Sequence, residues 1–150
     1  KNAGNSLILD IGKTLEYLET KGVTILGYKT NEFPAFFTRE SGFKIEYRVD
    51  SPKEIAAILR AGNELNLKSG MIVANPIPEE FSMDNELINS KIEEAVERAN
   101  KSNITGKNVT PYLLDAIQKA TEGKSLESNI QLVFNNAALA AQIALEYKGR

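Results

Sequence analysis

Residues 125–147, SLESNIQLVFNNAALAAQIALEY, restrict the possible folds more than any other stretch of the chain. At helical spacing Ile130, Val133, Phe134, Ala137, Ala141, Ala144 and Tyr147 form one apolar stripe. Leu132, Leu139 and Ile143 form a second beside it, and Gln131, Asn135, Gln142 and Glu146 take the remaining face. A helix apolar over so much of its circumference is expected to be buried on most sides. Asn129 and Asn136 fall on the second stripe, where an unpartnered amide costs roughly 1–3 kcal/mol. Either neighbouring groups satisfy them or a polar ligand does.

The rest of the chain alternates strand and helix signals in its first half and is helical thereafter. Ile8, Ile11, Leu15 and Leu18 recur at helical spacing, with Asn5 or Ser6 able to cap and Gly22 as a stop. Residues 23–28 read as a buried strand, and 30–42, with Pro34 and three phenylalanines, as a loop over the core. Phe43, Ile45, Tyr47 and Val49 alternate with polar residues, predicting a half-buried strand. Ser51, Pro52 and Glu54 spell a capping box, and Ile55, Ile58, Leu59 and Leu65 give the following helix its core face. Residues 71–74 are a second buried strand, ending in the stiff turn Asn75-Pro76-Ile77-Pro78-Glu79. Asp84 caps a charged helix with Ile88, Ile92, Val96 and Ala99 inward. Thr110-Pro111 starts another, with Leu113, Leu114, Ile117 and Ala120 inward and Gly123 as its stop, and Ser125 caps the last. The expected class is α/β: a single domain over 1–150, with a small mixed sheet flanked by helices and a helix-rich C-terminal half. So few strands for so many helices, with a last helix apolar on two stripes, imply missing partner surface.

Composition narrows the chemistry. The chain has no His and no Cys, so the commonest general base, the usual soft metal ligands and any disulfide are absent. Chemistry must fall to carboxylates, Lys, Tyr, hydroxyls or a metal held by oxygen. A net charge of −2, with basic residues scattered among acids, argues against nucleic acid as a partner. No apolar run is long enough to span a bilayer and no signal peptide opens the chain, so the expected location is cytoplasmic, with no membrane partner.

Candidate chemical positions are few. Asn75-Pro76-Ile77-Pro78-Glu79 follows a strand end, where open α/β sheets bind ligands, and Glu79 could act as acid or base; a rigid turn with an exposed Glu is the simpler reading. Ala3-Gly4 ahead of a helix could bring N–H groups to an anion, or be a plain turn. Arg48 could grip a carboxylate or phosphate, or pair with Asp50. Asn129 and Asn136 stand open between structure and ligand.

These stretches resemble, over essentially the whole chain, the pseudouridine-5′-phosphate glycosidase family. The similarity runs through Ala3-Gly4, Ile8-Leu9-Asp10, Leu18-Glu19-Thr20, Gly27-Tyr28, Pro34-Ala35-Phe36 and Arg48-Val49-Asp50-Ser51. It continues in Val73-Ala74-Asn75-Pro76-Ile77-Pro78-Glu79, Gly106-Lys107, Thr110-Pro111, Ser125-Leu126 and Asn129-Ile130-Gln131-Leu132-Val133, and ends at Asn135-Asn136-Ala137. The NPIPE turn and the SLxxNIQLVFNNA helix are its most specific parts. The resemblance implies reversible cleavage of the C–C glycosidic bond of pseudouridine 5′-phosphate to uracil and ribose 5-phosphate, in an α/β homotrimer that uses manganese or another divalent metal. It also implies a lysine amine that attacks C1′ and holds the opened sugar as an imine, with a carboxylic acid handling protons.

The similarity covers only the C-terminal half of the family's chain. The acid, the phosphate-binding lysine and the metal-binding aspartate belong to the other half, so the resemblance implies no metal ligand within these residues. Partners implied are the small-molecule substrate and either further copies of the chain or a separate N-terminal half. The family's nucleophilic lysine stands four residues before the Asp of Ile-Leu-Asp, which here is Ser6, and a serine cannot form an imine. Neither Lys1, upstream of Ala3-Gly4, nor Lys13, on the following helix, replaces it. The family's substrate-contacting Asn corresponds to Asn129. The chain alone is therefore expected to be inactive; the alternatives are a non-catalytic subunit or degenerate paralogue that keeps a sugar-phosphate pocket or an oligomer scaffold, and a truncated gene product that folds poorly.

Overall fold

A computed structural model describes residues 11–149. Its elements are helix α1 (Ile11–Thr20), strands β1 (Thr24–Tyr28) and β2 (Tyr47–Val49), helix α2 (Pro52–Glu64) and strand β3 (Met71–Ala74), followed by helices α3 (Asn85–Lys101), α4 (Val109–Ala120) and α5 (Lys124–Lys148). Short 3-10 turns at Glu79–Phe81 and Gly106–Asn108 precede α3 and α4. The α/β class and the helical second half are as the sequence predicts.

The sheet order is β2-β1-β3 and both pairings are parallel, with Leu26 opposite Tyr47 on one side and Val73 on the other. The sheet is thus parallel rather than mixed among the described residues. Antiparallel pairing is confined to the isolated bridges Glu32–Lys44 and Ala35–Thr38. That also explains why β2 is shorter than the alternation of 43–49 predicts. The Phe33 N–H donates to the Phe43 carbonyl and the Ile45 N–H to the Asn31 carbonyl, both at 2.8 Å. The backbone of 43–45 is spent on the 30–42 loop, and only Tyr47–Val49 joins β1. Val49 is buried, but Phe43 and Tyr47 are exposed, so the expected half-buried face is not covered.

Helix α2 starts as its capping box dictates: the Glu54 N–H donates to Ser51 Oγ at 3.2 Å, while Glu54 Oε2 accepts from the backbone N–H of Asp50 and Ser51. Ile55 is fully buried against Leu26 and Val49, with Ile58 and Leu59 beside them. Leu65, expected in that core, is 71% exposed, because it is the C-cap and has left the helical face. Asp84 caps α3 through the Leu87 N–H at 2.8 Å, and Ile88, Ala95 and Ala99 pack with Leu113, Ile117 and Phe37 in a second core cluster. Ala120 lies outside that cluster and is exposed; α4 begins at Val109, directly after the 3-10 turn, ahead of the expected Thr110-Pro111. The cap of α5 is Gly123, left-handed at φ 84°, rather than Ser125, which is buried inside the first turn.

Helix α5 packs mainly along α2 and touches α4 and the Glu79–Phe81 turn at its start. Its buried line is Ser125, Ser128 and Leu139, with Leu132 and Ile143 half-buried. The stripe of Ile130, Val133, Phe134, Ala137, Ala141 and Ala144, expected to be buried, faces outward instead, and Phe134 is 62% exposed. No described element is placed to cover it. At the far end Arg60 of α2 donates to the carbonyls of Glu146 and Tyr147 at 3.0 and 3.3 Å, satisfying orphan C-terminal acceptors. No helix of the described residues is long and apolar enough to cross a membrane.

Candidate functional site at the carboxyl edge of the sheet

Parallel strands deliver all their carboxyl ends to one edge, which is where open α/β sheets hold ligands. Here the edge consists of the residues after Tyr28, Val49 and Ala74, the last residues of β1, β2 and β3. Chain geometry at β1 depends on Gly27. A Cβ there would stand 2.3 Å from the Thr30 carbonyl oxygen, so only glycine lets the chain fold back over the strand end. The Lys29 N–H then donates to the Val49 carbonyl at 2.8 Å, and Lys29 takes a left-handed φ of 55°.

After β3 the Asn75–Glu79 turn and the 3-10 turn behind it are held at successive points by distant side chains. Asn75 Nδ2 donates to Asn136 Oδ1 at 3.0 Å, and Asn135 Nδ2 donates to the Pro76 carbonyl at 2.9 Å. Arg39 Nη1 donates to the Ile77 carbonyl, and Ser128 Oγ donates to the Phe81 carbonyl at 2.8 Å. Pro76 and Ile77 are buried, so these bonds satisfy carbonyls that water does not freely reach. The turn is rigid for two reasons: its prolines fix φ, and α5 with Arg39 fixes its carbonyls. Glu79 is exposed on the 3-10 turn, away from the cleft described below, in keeping with the simpler reading of that residue.

The Asn136 amide oxygen accepts from Asn75 at an exposed position. The structure also assigns a role to Asn135, which helical spacing had placed on the polar face with Gln131 and Gln142. Asn135 lies seven residues after Ser128, two turns along the same line, and that spacing is the signal that could have found it. Asn129 is half-buried and follows Ser128 directly. Among the described residues its side chain has no hydrogen-bond partner, and no buried side-chain nitrogen or oxygen is left unsatisfied, so its amide reaches solvent. Ser6, Ala3-Gly4 and Lys1 lie outside the described residues.

A cleft of about 260 Å³ opens at this edge, lined by Lys29, Thr30, Arg39, Glu40, Arg48 and Pro76 together with Asn31 and Glu32. Arg48 pairs with Asp50, its Nε and Nη2 at 2.9 and 2.8 Å from Oδ1, as one of the two readings of that residue holds. Lys29 and Arg39 were not anticipated, because only the fold-back at Gly27 and the loop bridges bring them to the strand ends. No group of three or more carboxylates among the described residues could hold a metal ion. The described residues therefore do not fit the divalent metal that the resemblance implies.

The family model described as indigoidine synthase A like protein matches residues 2–146. The pseudouridine-5′-phosphate glycosidase of Clostridium botulinum is 56% identical over 144 residues, 96% of this chain and 47% of that protein. That of Brachyspira hyodysenteriae is 54% identical over 145 residues, again 47% of its length. Among solved structures, the prealnumycin C-glycosynthase AlnA in complex with ribulose 5-phosphate superimposes with a TM-score of 0.82 at 30% identity, covering 93% of this chain and 46% of that one. An indigoidine synthase A-like protein from Thermotoga maritima gives 0.80 at 36% identity, over 92% and 45%. The chain thus spans about half the length of the relatives it matches. It belongs to the indigoidine synthase A-like protein family, and the relatives with which it shares more than half its residues are pseudouridine-5′-phosphate glycosidases.

Proposed function

We propose that this chain is the substrate-facing C-terminal half of a pseudouridine-5′-phosphate glycosidase fold, acting as a single domain, and that the 150 residues by themselves do not turn over the substrate. The observation that carries the first part is the turn after β3, clamped at the carboxyl edge by Asn135, Asn136 and Arg39 one helical line away from the open amide of Asn129. Its relatives are named for a nucleotide substrate, and its structural neighbour holds a pentulose phosphate, so a sugar phosphate is the ligand class. Asn129 is the substrate contact. The exposed stripe on α5 is the face for the remaining half of the family's length, or for further copies in a trimer, and the manganese and the acid belong with that other half.

The second part rests on Ser6. C–C cleavage needs an electron sink, supplied when an amine replaces the carbonyl oxygen of the opened sugar to give an imine and releases water. A hydroxyl cannot form that linkage. Borohydride reduction of an imine to a stable amine provides the test. The wild-type chain incubated with ribose 5-phosphate and borohydride keeps its unmodified mass, whereas Ser6→Lys, mixed with a polypeptide covering the rest of the family's length, gains a sugar adduct. An adduct on the wild-type chain would overturn inactivity. The serine also favours a second reading, a non-catalytic subunit that binds ribose 5-phosphate, distinguished by binding without turnover in the same mixture.

A further inference from the structure

The outer face of α5 carries a register of its own. Counted at about 100° per residue, Ile130, Phe134, Ala137, Ala138, Ala141 and Leu145 fall within an arc of about 100°, away from the buried line of Ser125, Ser128 and Leu139. All are exposed, Ile130 at 44%, Phe134 at 62% and Leu145 at 72%. Exposed apolar residues are ordinary when scattered, but a continuous line of them along one helix marks a contact surface. No residue between Glu127 and Glu146 is charged. The same arc nevertheless begins with an acid and ends with a base: Glu127 in the first turn and Lys148 in the last. Both are exposed, and neither makes an ion pair within the described residues.

We infer that two copies of this chain pair through this face, their α5 helices antiparallel about a twofold axis between Ala137 and Ala138. In that register Phe134 meets Ala141 of the second copy, Ile130 meets its Leu145, and Glu127 meets its Lys148. The twofold repeats each contact, so both phenyl rings rest over small side chains and both ends carry an ion pair. Alanines at the centre let the helix axes approach to about 8 Å, the close end of helix packing. Neighbouring registers lose this fit. Sliding one turn in one direction sets Glu127 against Ala144 and Lys148 against Gly123; sliding one turn in the other sets Phe134 against Leu145 and leaves Glu127 beyond the helix end. Parallel pairing brings Glu127 to Glu127 and Lys148 to Lys148, which is repulsive at both ends. A face one helix wide and about 30 Å long is small for an interface, so a dissociation constant between about 1 μM and 1 mM is expected. The inference rests on the reading of this stripe as an interface and not on the glycosidase reading. It differs from a trimer contact in symmetry, since a twofold pairing of one face does not close a ring of three.

The test is sedimentation of the full chain at rising concentration, with disulfide trapping to read the register. The mass climbs from one chain to two and no further. Phe134→Lys, at an exposed position that leaves the fold intact by circular dichroism, weakens the pairing about tenfold or more, because it sets a charge against an apolar surface twice over. The chain has no Cys, so introduced thiols report without background. Ile130→Cys mixed with Leu145→Cys forms a disulfide on mild oxidation, and neither variant does so alone. In the antiparallel pair two copies of position 130 stand about 22 Å apart along the axis, far beyond the roughly 7 Å between Cα atoms that a disulfide tolerates. A chain that stays single at all concentrations, a trimer, or a dimer indifferent to Phe134→Lys would overturn the pairing; disulfides in the single variants, or none in the mixture, would overturn the register. None of these results touches the glycosidase reading, whose own test is the borohydride trap.

Discussion

Replacing Asn135 with Ala tests whether the turn at the carboxyl edge is held by α5 or only by its own prolines. Asn135 Nδ2 is 2.9 Å from the carbonyl of Pro76, a buried residue, and the bond links positions 59 apart in sequence. Truncation removes the donor and orphans an acceptor. A buried orphan costs about 1–3 kcal/mol, and Asn135 itself is only half-buried, which allows some water in and places the expected loss at about 1–2 kcal/mol. Asn136→Ala is the internal control. Its bond to Asn75 joins two side-chain amides at an exposed position, each able to turn to water, so the loss should be nearer about 0.5 kcal/mol. In urea, with a slope of about 2 kcal/mol/M, Asn135→Ala lowers the midpoint by roughly 0.5–1 M at unchanged slope, and Asn136→Ala by about 0.25 M. Asn135→Asp keeps the size but presents an acceptor to an acceptor, and should cost at least as much as the alanine. The assay is circular dichroism of the full chain at neutral pH. A neutral Asn135→Asp, or a larger shift for Asn136→Ala than for Asn135→Ala, would refute the clamp.

Three further outcomes follow from burial and geometry. Gly27→Ala places a methyl on the Thr30 carbonyl oxygen, which neither backbone can yield cheaply, so a loss of about 3 kcal/mol or failure to fold is expected in the same urea assay. Leu139→Ala, on the buried line of α5, costs about 2–4 kcal/mol, while Phe134→Ala on the exposed stripe changes the isolated chain by less than about 0.5 kcal/mol; equal costs would mean that the stripe is covered. The hydrogen bond from Lys101, followed by its charge, holds the Glu97 carboxyl below its ordinary value, with burial opposing. The pair therefore favours the folded state above the ordinary carboxylate range, and this is lost as pH falls through the depressed value; an NMR titration in which Lys101→Gln fails to raise the Glu97 midpoint would contradict it.

Local signals were readable wherever their physics is local. The Ser51–Glu54 capping box, the Asp84 cap, the strand at 71–74 and the inward faces of α3 and α4 each depend on residues within a turn or two of one another. Where the prediction missed, a distant segment had claimed the backbone or left a face bare. Residues 43–45 pair with the 30–42 loop and not with β1, and the outer stripe of α5 has no described neighbour.

For the site, sequence by itself marked the Asn75–Glu79 turn, Arg48, Asn129 and Asn136, because prolines after a strand and amides on an apolar helix are odd wherever they fall. It also determined that the chain has no imidazole or thiol to offer, and that Ser6 stands where the family resemblance expects an amine. Only tertiary structure decided that Asn135, Arg39 and Ser128 hold carbonyls 38 to 59 positions away, that Asn136 is bonded while Asn129 is open, and that Lys29, Arg39 and Arg48 share one cleft. The reason is geometric. Parallel strands bring segments remote in sequence to a single edge, and periodicity within one element cannot say which carbonyl or charge waits there.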